Sequence, residues 1–498
     1  MTPTSYEALE GRFARLGALR EALGVLHWDA ATNMPEGGAA ARSEQVATLK
    51  VIVHEGLIDP ALPDLLAAAE GQNDLDSWRR ANLAEMRRWV AHASAVPSDL
   101  VAAFSKACMT SEMVWRRARA DSDFAMVLPA LEQVLALVRE IAAAKAGALG
   151  RSPYEALLDE YEPGVRAATI DRLFAELAAV LPPMIDDAIA RQASEPAPLP
   201  PPGPFPIAAQ RALGLELMKR LGFDFDHGRL DISAHPFTGG TPEDVRITTR
   251  YDEADFRSAL MGVLHETGHA LYELGLPPQW ARQPVGEARG MAIHESQSLL
   301  IEMQVCRGRE FLAFAAPVIR AAFEGGGPAW EARNLYRLGT RVARGFIRVD
   351  ADELTYPAHV MLRYRLERAL IAGEMALTDL PGEWNRGMRE LIGVEPPDDA
   401  RGCLQDIHWY DGAWGYFPTY TLGAMNAAQL FQAANAADPA ILPGIAAGDF
   451  APLLIWLREN VHSKASSCSA DRIMTDATGR PTGTGPYLAH LKARYLSA

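Results

Sequence analysis

Apolar residues fall three or four positions apart through most of this chain, and that spacing limits its fold more than any other feature. It runs through "SYEALEGRFARLGALREALGVLHW" (5–28), "FAMVLPALEQVLALVREIAAAKAGA" (124–148) and "ATIDRLFAELAAVLPPMIDDAIARQ" (168–192). Such spacing lays an apolar stripe along one face of a helix, and the stripe has to be buried. Abundant alanine and leucine favour the helix further. Alternating strand patterns are nearly absent, and the best strand candidate is "DVRITTRYD" (244–252). The expected fold is all-α with few short strands.

The clearest break is "SEPAPLPPPGPFPIAAQ" (194–210), where repeated prolines cannot continue a helix. The expected organisation is an N-terminal helical region (1–193), a stiff connector (194–210) and a larger C-terminal helical region (211–498). Together they are expected to act as one continuous unit. The opening stretch is interrupted by charges, so no signal peptide is expected there. No apolar run is long enough to suggest a membrane span. Net charge is −15, which argues against nucleic acid or an anionic membrane as partner. Cys108, Cys306, Cys403 and Cys468 are scattered and form no CxxC pair, so neither a cysteine zinc site nor a disulfide framework is expected. That usage fits a reducing cytoplasm. Cys403 near His408 is read as a structural thiol rather than a protease nucleophile.

One stretch points to chemistry. "VLHETGHALYELG" (263–275) places His265 and His269 four residues apart, on one face of a helix and within reach of one metal ion. Glu266 between them can act as general base toward an attacking water. With only 12 histidines in the chain, the pattern is rare by chance. A catalytic zinc needs a third protein ligand and an open position. Glu295, in "GEARGMAIHESQSLLIEMQV", lies 26 residues after His269, a separation that suits a second helix returning beside the first. His294 competes with Glu295 for that role, since adjacent helical positions point about 100° apart.

Further ordered motifs give the chain a family resemblance. "HPF" (235–237), "DVRIT" (244–248), "HETGH" (265–269), "HESQ" (294–297), "IRVDADELTY" (347–356), "GCLQDIHW" (402–409) and "GYFPTY" (415–420) resemble those of the carboxypeptidase Taq metallopeptidases. "HWDAATNMPEGGAAARSEQVATL" (27–49) and "YEALLDEYEPG" (154–164) resemble them too. The resemblance implies a large helical zinc-peptidase fold with a deep substrate groove and a cytoplasmic homodimer. It implies release of single C-terminal residues from peptide substrates, with broad specificity and poor action before proline. By motif match, His265, His269 and Glu295 are the metal ligands and Glu266 is the base. The expected ion is Zn2+, with Co2+ or Mn2+ able to occupy the same ligands.

A carboxypeptidase must also hold the substrate's terminal carboxylate, and arginine suits this through paired donors. Arg348 is the first candidate, against a structural ion pair with Asp350 or Asp352. Arg246 is the alternative, although neighbouring Asp244 suggests a structural pair. His235 is a candidate for lining the substrate groove. The tetrahedral intermediate needs hydrogen-bond donors, and "DIHWYDGAWGYFPTY" offers His408, Tyr416 and Tyr420, of which His408 and Tyr420 are preferred. Asp406 is read as orienting a histidine or capping a turn, and His27 and Trp28 as core. The competing readings are an oligopeptide endopeptidase, a dipeptidyl carboxypeptidase, or an idle peptide- or metal-binding scaffold. Retention of Glu266 speaks against the scaffold, which needs ligands but no base.

Overall fold

The computed structural model describes residues 3–497, which contain 20 α-helices and three short strands. The three long periodic stretches form helices Ser5–Thr32, Phe124–Leu149 and Ala167–Ala193. Their ends follow local chemistry. Thr4 and Glu7 form a reciprocal capping box at the first, and Asp123 caps the second. No described helix is long and apolar enough to cross a membrane.

The chain divides into two compact units, neither of them continuous in sequence. The first comprises 1–93, 198–339 and 423–482; the second comprises 94–197, 340–422 and 483–498. One of the boundaries falls inside the proline-rich segment.

In the first unit a small sheet has strand order β1-β3-β2, with β1 (Gly228–Ile232) parallel and β2 (Phe237–Thr241) antiparallel to β3 (Asp244–Thr249). Leu230, Val245 and Ile247 of the sheet share a buried cluster with Val263 and Ala270 of helix Phe256–Glu273. This packing seats the sheet against the helix that carries the HETGH motif. Asp255 caps that helix, its carboxylate accepting from the Arg257 N–H. Helix Gly290–Leu299 returns beside it, as the 26-residue spacing suggested, and then continues as a π-helix over Leu300–Cys306. The two helices approach closely because residue 268 is glycine. A Cβ there would lie 2.6 Å from Ser298 Cα.

In the second unit, helix Tyr356–Ala372 is buried along most of its length. It turns His359, Arg363 and Glu367 inward, and all three are fully buried. Positions 359, 363 and 367 lie four apart, so this is a polar stripe on one face of a core helix.

Candidate active site

His265 and His269 project from helix Phe256–Glu273, one turn apart, and Glu295 reaches them from helix Gly290–Leu299. One donor atom from each lies within 4.8 Å of the others. Glu295 Oε2 is 3.4 Å from His269 Nε2 and 4.0 Å from His265 Nε2. Donors about 2.0–2.2 Å from a tetrahedral zinc lie about 3.3–3.6 Å apart, so the set is close to binding geometry. A second glycine contact helps place Glu295. A Cβ at Gly423 would lie 2.7 Å from both Cβ and Cγ of that side chain.

The outer ring nitrogens are tied as a metal site requires. His265 Nδ1 lies 3.0 Å from Glu302 Oε2, and Arg307 holds the other Glu302 oxygen at 2.5 Å. Burial disfavours the charge on Glu302, but Arg307 and the His265 bond outweigh it and lower its carboxyl to about 2. An ionised Glu302 can only accept, so His265 carries its proton on Nδ1 and leaves Nε2 for a cation. His269 Nδ1 lies 2.6 Å from His294 Nδ1, and His294 Nε2 lies 2.7 Å from Glu273 Oε1. One assignment satisfies this chain: His294 donates from Nε2 to Glu273, and His269 donates from Nδ1 to His294. His269 Nε2 is then also left for a cation. Burial opposes charge on His265 as well, yet Glu302, Glu295 and Glu266 together push its pKa to about 10. A cluster that holds a proton so firmly is short of positive charge. The donor set fits a divalent cation.

His294 thus hydrogen-bonds to His269, and Glu295 is the residue whose oxygen lies among the His265 and His269 donors. Glu266 points into the same region and is 8% exposed, and its Oε2 accepts from Thr238 Oγ1 at 2.7 Å. Glu302, Glu273 and Thr238 were not foreseen. Of these, Glu273 had a readable signal, since it lies four residues after His269 and so returns to the same helical face.

In the same unit, His235 is exposed on the turn before β2. Arg246 donates from Nε to both Asp244 oxygens at 3.0 Å and lies 4.2 Å from the Trp28 ring centroid. Trp28 itself is buried.

The second unit gathers the other candidates. Arg348 is 6% exposed and donates from Nε and Nη2 to Asp406 Oδ1 at 3.1 and 2.9 Å. Its partner is thus Asp406 rather than Asp350 or Asp352. Arg363 donates from Nε to Asp406 Oδ2 at 2.6 Å. Asp406 is the counter-ion of two guanidiniums, not a support for a histidine. Gln405 Oε1 accepts from the Arg348 N–H at 2.8 Å and from Arg363 Nη2 at 2.7 Å. Two buried cations share one carboxylate, which leaves an excess positive charge. His408 Nε2 lies 3.2 Å from Tyr420 Oη, and the Arg348 guanidinium lies 4.7 Å from the Tyr420 ring centroid. The Tyr416 ring packs edge-on to Tyr420 at 5.1 Å. Burial, aided by Arg348 and Arg363 against Asp406, lowers the His408 pKa to about 4, so its imidazole is neutral at pH 7.

Comparison with known proteins agrees with this chemistry. Residues 8–495 match the family model described as carboxypeptidase Taq (M32) metallopeptidase. The chain is 39% identical to thermostable carboxypeptidase 1 of Thermus thermophilus, over 100% of this chain and 99% of that one. It is 34% identical to carboxypeptidase 1 of Bacillus subtilis, over 97% and 96%. Metallocarboxypeptidase 1 of Trypanosoma cruzi superposes with a TM-score of 0.97 at 40% identity, covering 99% of both chains.

Proposed function

The chain belongs to the carboxypeptidase Taq (M32) family and is a metallocarboxypeptidase, and from that premise we propose that it releases single C-terminal residues from peptides of varied sequence. The observation that carries the reading is the His265, His269 and Glu295 triad with Glu266 beside it. A divalent cation held there, zinc by preference, would polarise the scissile carbonyl and acidify the attacking water. Glu266 takes one proton from that water as its oxygen bonds to the carbonyl carbon. Tyr420 and His408 donate hydrogen bonds to the oxygen that gains charge. His408 is neutral at pH 7, so it brings no full charge of its own to that oxygen. The C–N bond then breaks, and Glu266 passes its proton to the leaving amine.

Arg348 is proposed to bind the terminal carboxylate. Support comes from the excess charge of the Arg348, Arg363 and Asp406 group, and from Arg348 Nη1, which Asp406 does not engage. His235, Arg246 and Tyr416 are proposed to contact the peptide elsewhere. We also propose a single peptidase unit acting in the cytoplasm as a homodimer. The four cysteines, all free, are consistent with a reducing compartment.

The test is mass spectrometry of peptide digests with and without added metal. A ladder of peptides shortened one residue at a time from the C-terminus, abolished by chelation, is expected. Internal fragments or released dipeptides would overturn the reading in favour of an endopeptidase or a dipeptidyl carboxypeptidase.

A further inference from the structure

We infer that Thr238 is a positioning residue that sets the orientation of the Glu266 carboxylate through the edge strand β2; the inference rests on the reading of Glu266 as general base. Thr238 Oγ1 lies 2.7 Å from Glu266 Oε2 and 3.0 Å from the Glu266 backbone carbonyl oxygen. Both acceptors belong to one residue. The bond to Oε2 ties the glutamate side chain to β2, whereas the bond to the carbonyl oxygen would tie only the helix backbone to that strand. The hydroxyl has one proton, and the charged oxygen is both nearer and the stronger acceptor. Glu266 Oε2 is thereby occupied, and Oε1 is the oxygen left to meet water.

The strand makes this a fixed reference point. Thr238 pairs across the sheet with Ile247. Ile247 is fully exposed to neither solvent nor strand edge but buried in the cluster that includes Val263 and Ala270 of the HETGH helix. One position away, Thr248 Oγ1 accepts from the Phe237 N–H at 3.1 Å and from Ser233 Oγ at 2.7 Å. Successive strand residues face opposite ways, so a register held at Phe237 and Ile247 commits Thr238 to the side facing the glutamate. A glutamate with several rotatable bonds would otherwise sample orientations in which neither oxygen is aimed at water. Holding one of them removes that search before substrate arrives.

Thr238→Val keeps the shape and the strand preference and removes only the donor. Thr238→Ser keeps the donor and removes the methyl group. In the metal-loaded full chain, Thr238→Val is expected to lower kcat roughly 10- to 100-fold, the scale of a lost charge-assisted bond or an ångström-scale misplacement. KM is expected within about threefold of wild type, because the peptide's own contacts remain. Thr238→Ser is expected to restore most of the rate. Metal content and thermal midpoint should match wild type in both, and a crystal structure of Thr238→Val should show the Glu266 carboxylate turned from its native position. In a Glu266→Gln background the valine substitution should cost nothing further. Wild-type kcat in Thr238→Val, with Glu266→Gln inactive, overturns the inference. So does a serine variant as slow as the valine one. A Glu266→Gln protein that stays active would instead refute the reading of the base. If the valine variant does not fold, Thr238→Ala supports the same comparison against serine.

Discussion

Glu266 shares its helical turn with two histidines, yet its role differs from theirs and can be separated experimentally. It is not a member of the donor triad. Glu266→Gln should keep the metal and lose roughly 10²–10⁴-fold in rate, the usual yield of general-base catalysis. His265→Ala should lose both. Metal analysis beside kcat distinguishes the two, and a metal-replete Glu266→Gln enzyme with a near-normal rate would dismiss it as the base. Arg348 poses a second question, because Asp406 already pairs with it. A guanidinium serving only Asp406 would matter equally to every substrate. One that also binds a terminal carboxylate should matter most where that carboxylate is free. Arg348→Ala should therefore cut kcat/KM roughly 30- to several-thousand-fold on free-carboxylate peptides, the range for truncating a buried charged contact. C-terminally amidated peptides should be poor substrates throughout and lose little more. Equal fractional losses on both would make Arg348 structural. At this scale the sequence was legible where spacing forces proximity. His265 and His269 sit one turn apart by geometry alone. The pairing of Arg348 with Asp406 spans 58 residues and follows from tertiary packing that no local pattern encodes.

Elements whose signal was periodic were readable, and those defined by pairing were not. The helices at Ser5–Thr32, Phe124–Leu149 and Ala167–Ala193 declare themselves by their buried stripes. β3 was visible as a branched run, but β2 is "FTGGT", whose two glycines carry no alternation and which is a strand only because β3 lies beside it. The π-helical turn that carries Glu302 likewise has no periodic mark. Helix Tyr356–Ala372 hides a different feature: its apolar surroundings bury Glu367 completely. Burial raises that carboxyl to about 7, against the bonds it receives from Tyr154 at 2.6 Å and Trp409 at 2.9 Å. The folded state thus holds this proton more tightly than the unfolded chain, where a glutamate titrates near about 4.3. The stabilising contribution is full below the unfolded value and is lost as pH rises through about 7. Glu367→Gln mimics the protonated side chain. Its amide nitrogen can donate to Tyr154 while its oxygen accepts from Trp409. The variant should match wild type near pH 4 and exceed it near pH 8, by up to about 3 kcal/mol from the linkage of a shift this size. Thermal melts of the two proteins across that range provide the measurement, and parallel curves would mean that the carboxyl is not shifted.

The whole molecule should feel its metal even when no substrate is present. The donor triad draws on two helices, with Gly423 of a third seated against Glu295. In the unfolded chain these donors are not assembled, so a cation binds the native state almost alone. Such binding stabilises by about 2.7 kcal/mol at a hundred times the dissociation constant and about 4.1 kcal/mol at a thousand times. Glu266, Glu295 and Glu302 add to the effect, because all three favour positive charge at His265 and a cation bound there would supply it. Chelation should lower the melting temperature by several degrees, and added zinc, cobalt or manganese should restore it in proportion to the logarithm of free metal. His265→Ala should melt at one temperature whatever the metal concentration. Glu266→Gln should keep the full metal-dependent rise, since it removes a charge beside the triad and no donor from it. That contrast separates binding from catalysis without any turnover being measured. A wild-type melting temperature that ignores both chelator and metal would mean that the triad does not hold a cation tightly enough to matter to the fold.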